Sequence, residues 1–237
     1  MGNWYTKSVD TRVAQMFESV RQFNFKQEMK PKPFITIARQ FGCDAYDIAG
    51  TLAEILTQKI ANGQNWELYD KELVEKVAGD LKATESLIKA MAIEHRNAFE
   101  QFLSSMVLNI PNTDKIFKRM AEVIRGIAWH GNAIIIGRGS GILCHDMPEG
   151  LHINLVVPFK WRVKNIQRWQ TGSELPQIEK DLSVRDMERN KFYQKYFSIP
   201  VDNFTDFDLT INNAKFDTEE TARLVFNALM QKMEIDG

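Results

Sequence analysis

Arg39, Arg138, Arg185 and Arg189 are the residues of this sequence best suited to chemistry, and that chemistry is the handling of phosphate. A guanidinium presents a rigid fork of donors that matches phosphate oxygens. Arg39 opens the run Arg39-Gln40-Phe41-Gly42, Arg138 stands between Gly137 and Gly139, and Arg185 and Arg189 are spaced i, i+4. Glycines on both sides of Arg138 let backbone approach a ligand closely. The i, i+4 pair shares one helical face and can clamp a phosphate. Structural readings stand beside each of these. Arg138 can pair with a carboxylate or cap a helix at a tight turn, and Gly139 and Gly141 can be a plain flexible turn. Asp181, Asp186 and Glu188 can make the stretch around Arg185 and Arg189 a solvated, salt-bridged helix.

The run from Ile35 to Ala49 has the layout of a phosphate-binding loop: a β-rich segment feeds Gly42, and an amphipathic helical pattern follows at once. The full motif, G-x-x-x-x-G-K-[ST], cradles phosphates with backbone N–H groups, a lysine and a magnesium-binding hydroxyl. Only its scaffold is present. Cys43, Asp44, Ala45, Tyr46 and Asp47 occupy the stretch that would supply further glycines, the cation and the hydroxyl. Asp70, after a second short strand, either accepts hydrogen bonds from a nucleotide's sugar or base or caps the helix beginning at Lys71. His95, His130, His145 and His152 form no metal-ligand pattern with Cys43 and Cys144, and no Ser-centred elbow or His-Glu-x-x-His helix occurs. Tyr193, Tyr196 and Phe197 can stack on a base, although aromatics at this spacing more often pack.

These residues need a frame. Strands are expected at Phe34–Ala38, Trp66–Tyr69, Ala133–Ile136, Leu151–Val157 and Phe207–Ile211, and helices at 46–60, from 113 or 114 to Trp129, at 159–170, at 174–197 and at Thr218–Met233. Near-continuous apolar strands separated by helices predict a doubly wound, five-stranded parallel α/β sheet covered on both faces, with ligands at the carboxyl ends of the strands. Arg39, Asp70 and Gly137 all fall just after predicted strands. Residues 71–109 carry helical periodicity without a strand signal and read as an inserted helical lobe. At the start, Val13, Met16, Phe17, Val20 and Phe23 mark an extra amphipathic helix over 9–28, and Lys30-Pro31-Lys32-Pro33 links it to a main domain of 34–237. The helix's apolar face must be covered by the main body or by a second copy, which makes a homodimer through this helix an expectation.

Composition bounds the partners. With 237 residues, 44% of them hydrophobic, the chain can bury one substantial core. Thirty basic against thirty-one acidic residues leave a net charge of −1, so the electrostatic footprint of a nucleic-acid binder is missing and any phosphate must be met by local arginines. Two cysteines without paired spacing suit a reducing cytoplasm. No apolar run has the roughly 20 residues of a membrane span. The start, Met1 to Thr6, matches the loose myristoylation pattern only formally, so no membrane partner is expected.

Taken in order, Ile35-Thr-Ile-Ala-Arg-Gln-Phe-Gly42, Tyr69-Asp70-Lys-Glu-Leu73, Ile134-Ile-Ile-Gly-Arg-Gly139, Arg185-Asp186 with Arg189, and Phe207-Asp208-Leu-Thr-Ile-Asn212 resemble the cytidylate kinase-like proteins. These are a branch of the P-loop nucleoside monophosphate kinases, and the resemblance spans about residues 34–230. It implies a P-loop nucleotide kinase fold and magnesium-dependent transfer of the ATP γ-phosphoryl group to a nucleoside monophosphate such as CMP. It also implies roles. Arg39, Arg138, Arg185 and Arg189 would act on phosphates, and Gly42, Cys43, Asp44, Ala45, Tyr46 and Asp47 would form the ATP loop. Asp70, Arg96, Gly137, Gly139 and Arg162 would contact the acceptor, with 71–109 as its lobe and 159–197 as a closing lid. In this family the glycine is typically followed by Ser-Gly-Gly-Arg or Ser-Gly-Gly-His, where this chain reads Cys43-Asp44-Ala45-Tyr46. A carboxylate ~4 Å from phosphate costs on the order of 4 kcal/mol at an effective dielectric near 20. Magnesium would reverse that sign, linking the metal to Asp44 or Asp47 while Arg39 supplies the missing cation. The alternative is a non-catalytic sensor of nucleotides or phospho-ligands with a vestigial loop.

Overall fold

In a computed structural model the chain forms one five-stranded parallel sheet of order β2-β3-β1-β4-β5. The structure describes residues 8–22, 32–60, 65–80, 84–85, 87–88, 97, 101, 115–170, 172–201 and 203–235. The strands are β1 (Phe34–Arg39), β2 (Glu67–Tyr69), β3 (Ala133–Ile136), β4 (Gly150–Val156) and β5 (Leu209–Asn212). The described helices are α1 (Val9–Gln22), α2 (Ala45–Lys59), α3 (Lys71–Gly79), α4 (Lys115–His130), a single turn α5 (Ser140–Leu143), α6 (Phe159–Trp169), α7 (Leu175–Phe197) and α8 (Thr218–Ile235). This is the doubly wound parallel α/β fold expected from the order of strands and helices. The switch in strand order falls at β1, which lies between β3 and β4, and Arg39 at its carboxyl end lines a crevice there.

Alternation along the strands explains why they read as unbroken apolar runs. Ile35 and Ile37 face one side with Ile134, Ile136, Ile153 and Leu155, against Leu52 and Leu56 of α2 and Val225 and Leu229 of α8. Phe34, Ala133 and Ile135 face the other side, against Leu73 and Val77 of α3 and Ile124 and Ile127 of α4. Both faces are thus dry, as a parallel sheet requires. Register places Ile37 between Ile136 and Ile153, so the ends of β1, β3 and β4 open on the same edge.

A third, smaller core lies beyond that edge, where Val163 and Ile166 of α6 meet Ile178 and Leu182 of α7 with Phe41 packed alongside. α7 therefore has two anchors. Its other end, Tyr193 and Phe197, enters the core beneath α3 and α4. One helical face reads Ile178, Leu182, Arg185, Arg189, Tyr193 and Phe197 at successive spacings of three or four, apolar at both ends and cationic where it bridges the crevice.

The observed strands and helices lie within a few residues of those expected from the sequence. Within the expected lobe at 71–109, α3 is described and Leu87 packs against Gly126, but most of the remainder, including His95 and Arg96, lies outside the described residues. Val9 and Val13 of α1 pack on the chain's own core, and Arg12 reaches the Leu68 carbonyl and Asp70. The side chains of Met16, Phe17, Val20 and Phe23 are not among those described.

Candidate functional site

The crevice holds a cavity of about 290 Å³ into which the chain brings Arg39 from the end of β1, Arg138 from the turn after β3, and Arg185 and Arg189 from α7. All four arginines singled out in the sequence line it. Lys71 adds a fifth cation, Asp186 and Glu188 are the acidic lining residues, and Phe41, Phe192 and Tyr193 form aromatic walls. Asp186 is already bound by Arg162, so the lining is cationic on balance. An anion bearing several oxygens and an attached apolar group is the ligand such walls suit.

The arginines are held rather than left to wander. Arg185 lies 4.1 Å above the Phe41 ring and Arg189 lies 5.6 Å from the centre of Tyr193, contacts that fix the guanidinium planes without neutralising them. Arg189 Nη2 and Arg138 Nε are buried with no protein acceptor, which is unusual for such strong donors. Arg138 is paired with Glu75 of α3. Burial pushes the Tyr193 phenol upward, against the opposing pull of Arg189 and Arg39, so it stays a neutral hydroxyl.

The turn after β3 has an unusual backbone. Gly137, Arg138 and Gly139 have φ values of 79°, 56° and 70°, three consecutive left-handed residues. A non-glycine residue there costs roughly 1–2 kcal/mol, and Arg138 carries that strain. The flanking glycines are also required by contact. A Cβ at Gly137 would sit 2.5 Å from Arg39 Nη1, so the bare backbone is what lets Arg39 lie across the turn. A Cβ on Gly139 would strike the Phe197 ring at 2.3 Å, which gives this glycine a packing role at the end of α7 instead of a ligand contact.

The loop leading into α2 keeps its shape despite its altered residues. Gly42 has φ 89° and Asp44 has φ 25°, so an aspartate takes a conformation that glycine would adopt freely. Asp44 precedes the first helical residue, where a carboxylate ordinarily caps the helix, yet it makes no such bond. Its Oδ1 instead accepts from Asn165 Nδ2 at 2.5 Å, and the same amide donates to the Gly42 carbonyl at 3.1 Å. Burial pushes the Cys43 thiol up to about 11, so it remains neutral. Partial burial and the nearby Asp44 raise the Asp47 carboxyl. These loop residues, Gly42 to Asp47, adjoin the cavity through Phe41 and do not line it.

Among the described residues no group of three or more metal-ligating side chains converges. Magnesium bound with a nucleotide needs only one or two protein carboxylates, because phosphates and water complete its shell. Asp47 meets that modest demand: partial burial and the charge of Asp44 raise its carboxyl, and a cation would relieve that.

Three residues expected to contact the acceptor do not line the cavity: Gly139, Arg162 and Asp70. Arg162 is buried, with both terminal nitrogens on Asp186 at 2.9 and 2.8 Å and a longer bond to the Phe41 carbonyl, so it ties α6 to α7 and to the loop rather than meeting a ligand. Asp70 accepts from the Leu73 backbone N–H and pairs with Arg12, the capping alternative, and it does not reach the cavity. Gly137 does line it. Sequence reasoning missed Lys71, Phe192 and Asn165. The signal for Asn165 is a polar residue one turn from Arg162 and next to Ile166, visible only once that side of α6 is known to bury.

The family whose sequence profile matches residues 34–215 is described as the cytidylate kinase-like family. A protein of Archaeoglobus fulgidus named cytidylate kinase is 25% identical over 171 residues, 70% of this chain and 89% of its own length. Another of that name, from Methanosarcina barkeri, is 24% identical over 155 residues, 65% of this chain and 84% of its own. Among solved structures, an uncharacterized protein from Eubacterium ventriosum superposes with a TM-score of 0.65 at 18% identity, covering 84% of this chain and 99% of the other. That likeness concerns the fold.

Proposed function

The chain belongs to the cytidylate kinase-like family, and on that premise we propose that it transfers the γ-phosphoryl group of ATP to a nucleoside monophosphate of the cytidylate type. The observation that carries this reading is the convergence of Arg39, Arg138, Arg185 and Arg189 on one cavity at the carboxyl edge of a parallel sheet. Relatives from two archaea bear the name cytidylate kinase, which makes CMP the first acceptor to test.

Phosphoryl transfer asks little covalent chemistry of a protein; it asks for alignment and for charge stabilisation on the equatorial oxygens. Arg185 and Arg189, one helical turn apart, would meet those oxygens from above, and Arg39 from the sheet below. Arg138, held in a strained turn and tethered to Glu75, would orient the acceptor's own phosphate. Phe41, Phe192 and Tyr193 would exclude water from the space between. The hairpin of α6 and α7, whose helices Arg162 and Asp186 join, would serve as the lid over the phosphates. Magnesium, held at Asp47, would supply charge neutralisation among the donor phosphates.

The test is direct. Purified full-length protein with ATP, magnesium and CMP is expected to form ADP and CDP, with slower turnover on UMP and AMP. No ADP formation with any common nucleoside monophosphate overturns the proposal, and tight monophosphate binding without turnover would point to a sensor instead.

A further inference from the structure

We propose that Asn165 is the positioning residue of the nucleotide loop: it holds Asp44 in the left-handed conformation and draws its carboxylate off the first turn of α2. This rests on the loop being the ATP loop of the proposed reaction. An aspartate just before a helix ordinarily folds its carboxylate onto the first free N–H groups, which here would occupy the place needed by a phosphate with a group of the same charge. The structure has the opposite arrangement. Asp44 makes no capping bond, and its Oδ1 is instead 2.5 Å from Asn165 Nδ2.

Asn165 is itself only 4% exposed, so its amide is not a casual surface contact. Its donation to the Gly42 carbonyl at 3.1 Å grips the loop at a second point, two residues earlier. The neighbours on α6 complete the hold. A Cβ at Gly42 would lie 3.1 Å from Ile166 and 3.2 Å from Arg162, so the loop is pressed against this helix. Family loops with glycines in this stretch reach such conformations without help. Here an amide from another helix takes over the task, at the one place where the sequence departs from the pattern.

Double-mutant analysis tests this, using Asn165→Ala, Asp44→Gly and the combination in the full-length chain. Amide hydrogen exchange across residues 42–47, measured without nucleotide, reads the hold directly. Asn165→Ala is expected to speed that exchange about tenfold, the scale of losing one charge-assisted hydrogen bond, while β3 amides are unchanged. In the Asp44→Gly background the same substitution is expected to change exchange less than about threefold, because glycine needs no holding. Turnover adds a second reading: Asn165→Ala should raise KM for ATP about tenfold with KM for CMP unmoved, and Asp44→Gly should reverse it. Unchanged exchange in Asn165→Ala overturns the proposal, as does an acceleration of the same size whether residue 44 is aspartate or glycine. A wild-type chain that binds no ATP, with the exchange coupling intact, removes the proposed kinase reaction and leaves the hold on Asp44 supported.

Discussion

Arg189 combines a buried, unpartnered nitrogen with a place on the cavity wall, which is the signature of a donor kept ready for an anion. Replacing it by alanine is expected to lower kcat by about 10²–10³, the loss typical of a preorganised donor to developing charge, with thermal stability nearly unchanged. Steady-state kinetics with ATP and CMP check this. Arg189→Lys should recover little, because a point charge cannot reproduce the fork that lies against Tyr193. A second residue makes its prediction through pH. Burial drives the His152 imidazole down to about 4, against the attraction of Asp208, while Nδ1 shares a 2.8 Å hydrogen bond with Thr36 Oγ1. The folded state therefore prefers the neutral ring and the unfolded chain protonates first. This contribution is fully present above about pH 6.5 and is lost as pH falls toward 4, on the order of 3 kcal/mol across the window. Denaturant midpoints measured from pH 7 to pH 4 should fall, and the His152→Gln variant should fall less steeply over the same range.

At the level of elements, the edges of the site are fixed by single polar residues that couple two segments each. Asp70 caps α3 through Leu73 and pairs with Arg12 of α1 at 3.0 Å. Asp70→Ala removes both and is expected to cost about 1–2 kcal/mol, whereas Asp70→Asn keeps a cap acceptor and should cost less. Urea unfolding distinguishes them; equal costs would deny the cap its share. Arg162 does for α6 and α7 what Asp70 does for α1 and α3. Arg162→Ala leaves Asp186 without its bidentate partner beside the arginines, and a loss of about 2–4 kcal/mol together with weakened phosphate binding is expected from calorimetry and unfolding. That pairing ties the middle of α7, which has no buried apolar residue between Leu182 and Tyr193, to α6, beside the arginines that Phe41 and Tyr193 hold.

For the molecule as a whole, the cavity and the loop before α2 differ in kind: the first gathers Arg39, Arg138, Arg185 and Arg189, and the second follows Gly42 with Cys43, Asp44, Ala45 and Tyr46. Restoring the loop with Asp44→Gly, Ala45→Gly and Tyr46→Arg is expected to tighten ATP binding by at least about tenfold, because a carboxylate is exchanged for a cation beside a polyanion. Calorimetric titration measures it, and unchanged affinity would mean the altered residues already serve the donor. Local sequence determined much of this molecule. Near-continuous apolar runs in β1 and β3, with amphipathic stretches between strands, dictate a parallel sheet buried on both faces, and the placement of Arg39 and Gly137-Arg138-Gly139 after strands follows from that. The i, i+4 spacing of Arg185 and Arg189 likewise names the face they share. What spacing cannot convey is which polar residue meets which partner across the fold. Arg162 and Arg189 look alike in the sequence, and Asp70 reads equally as a ligand contact or a helix cap, until the approach of Asp186 and Arg12 leaves one arginine open and closes the other two residues. Asn165 is the sharpest case. Its role exists only because α6 lies against a loop more than a hundred residues earlier, and long-range contacts of that kind are set by the packing of the whole chain.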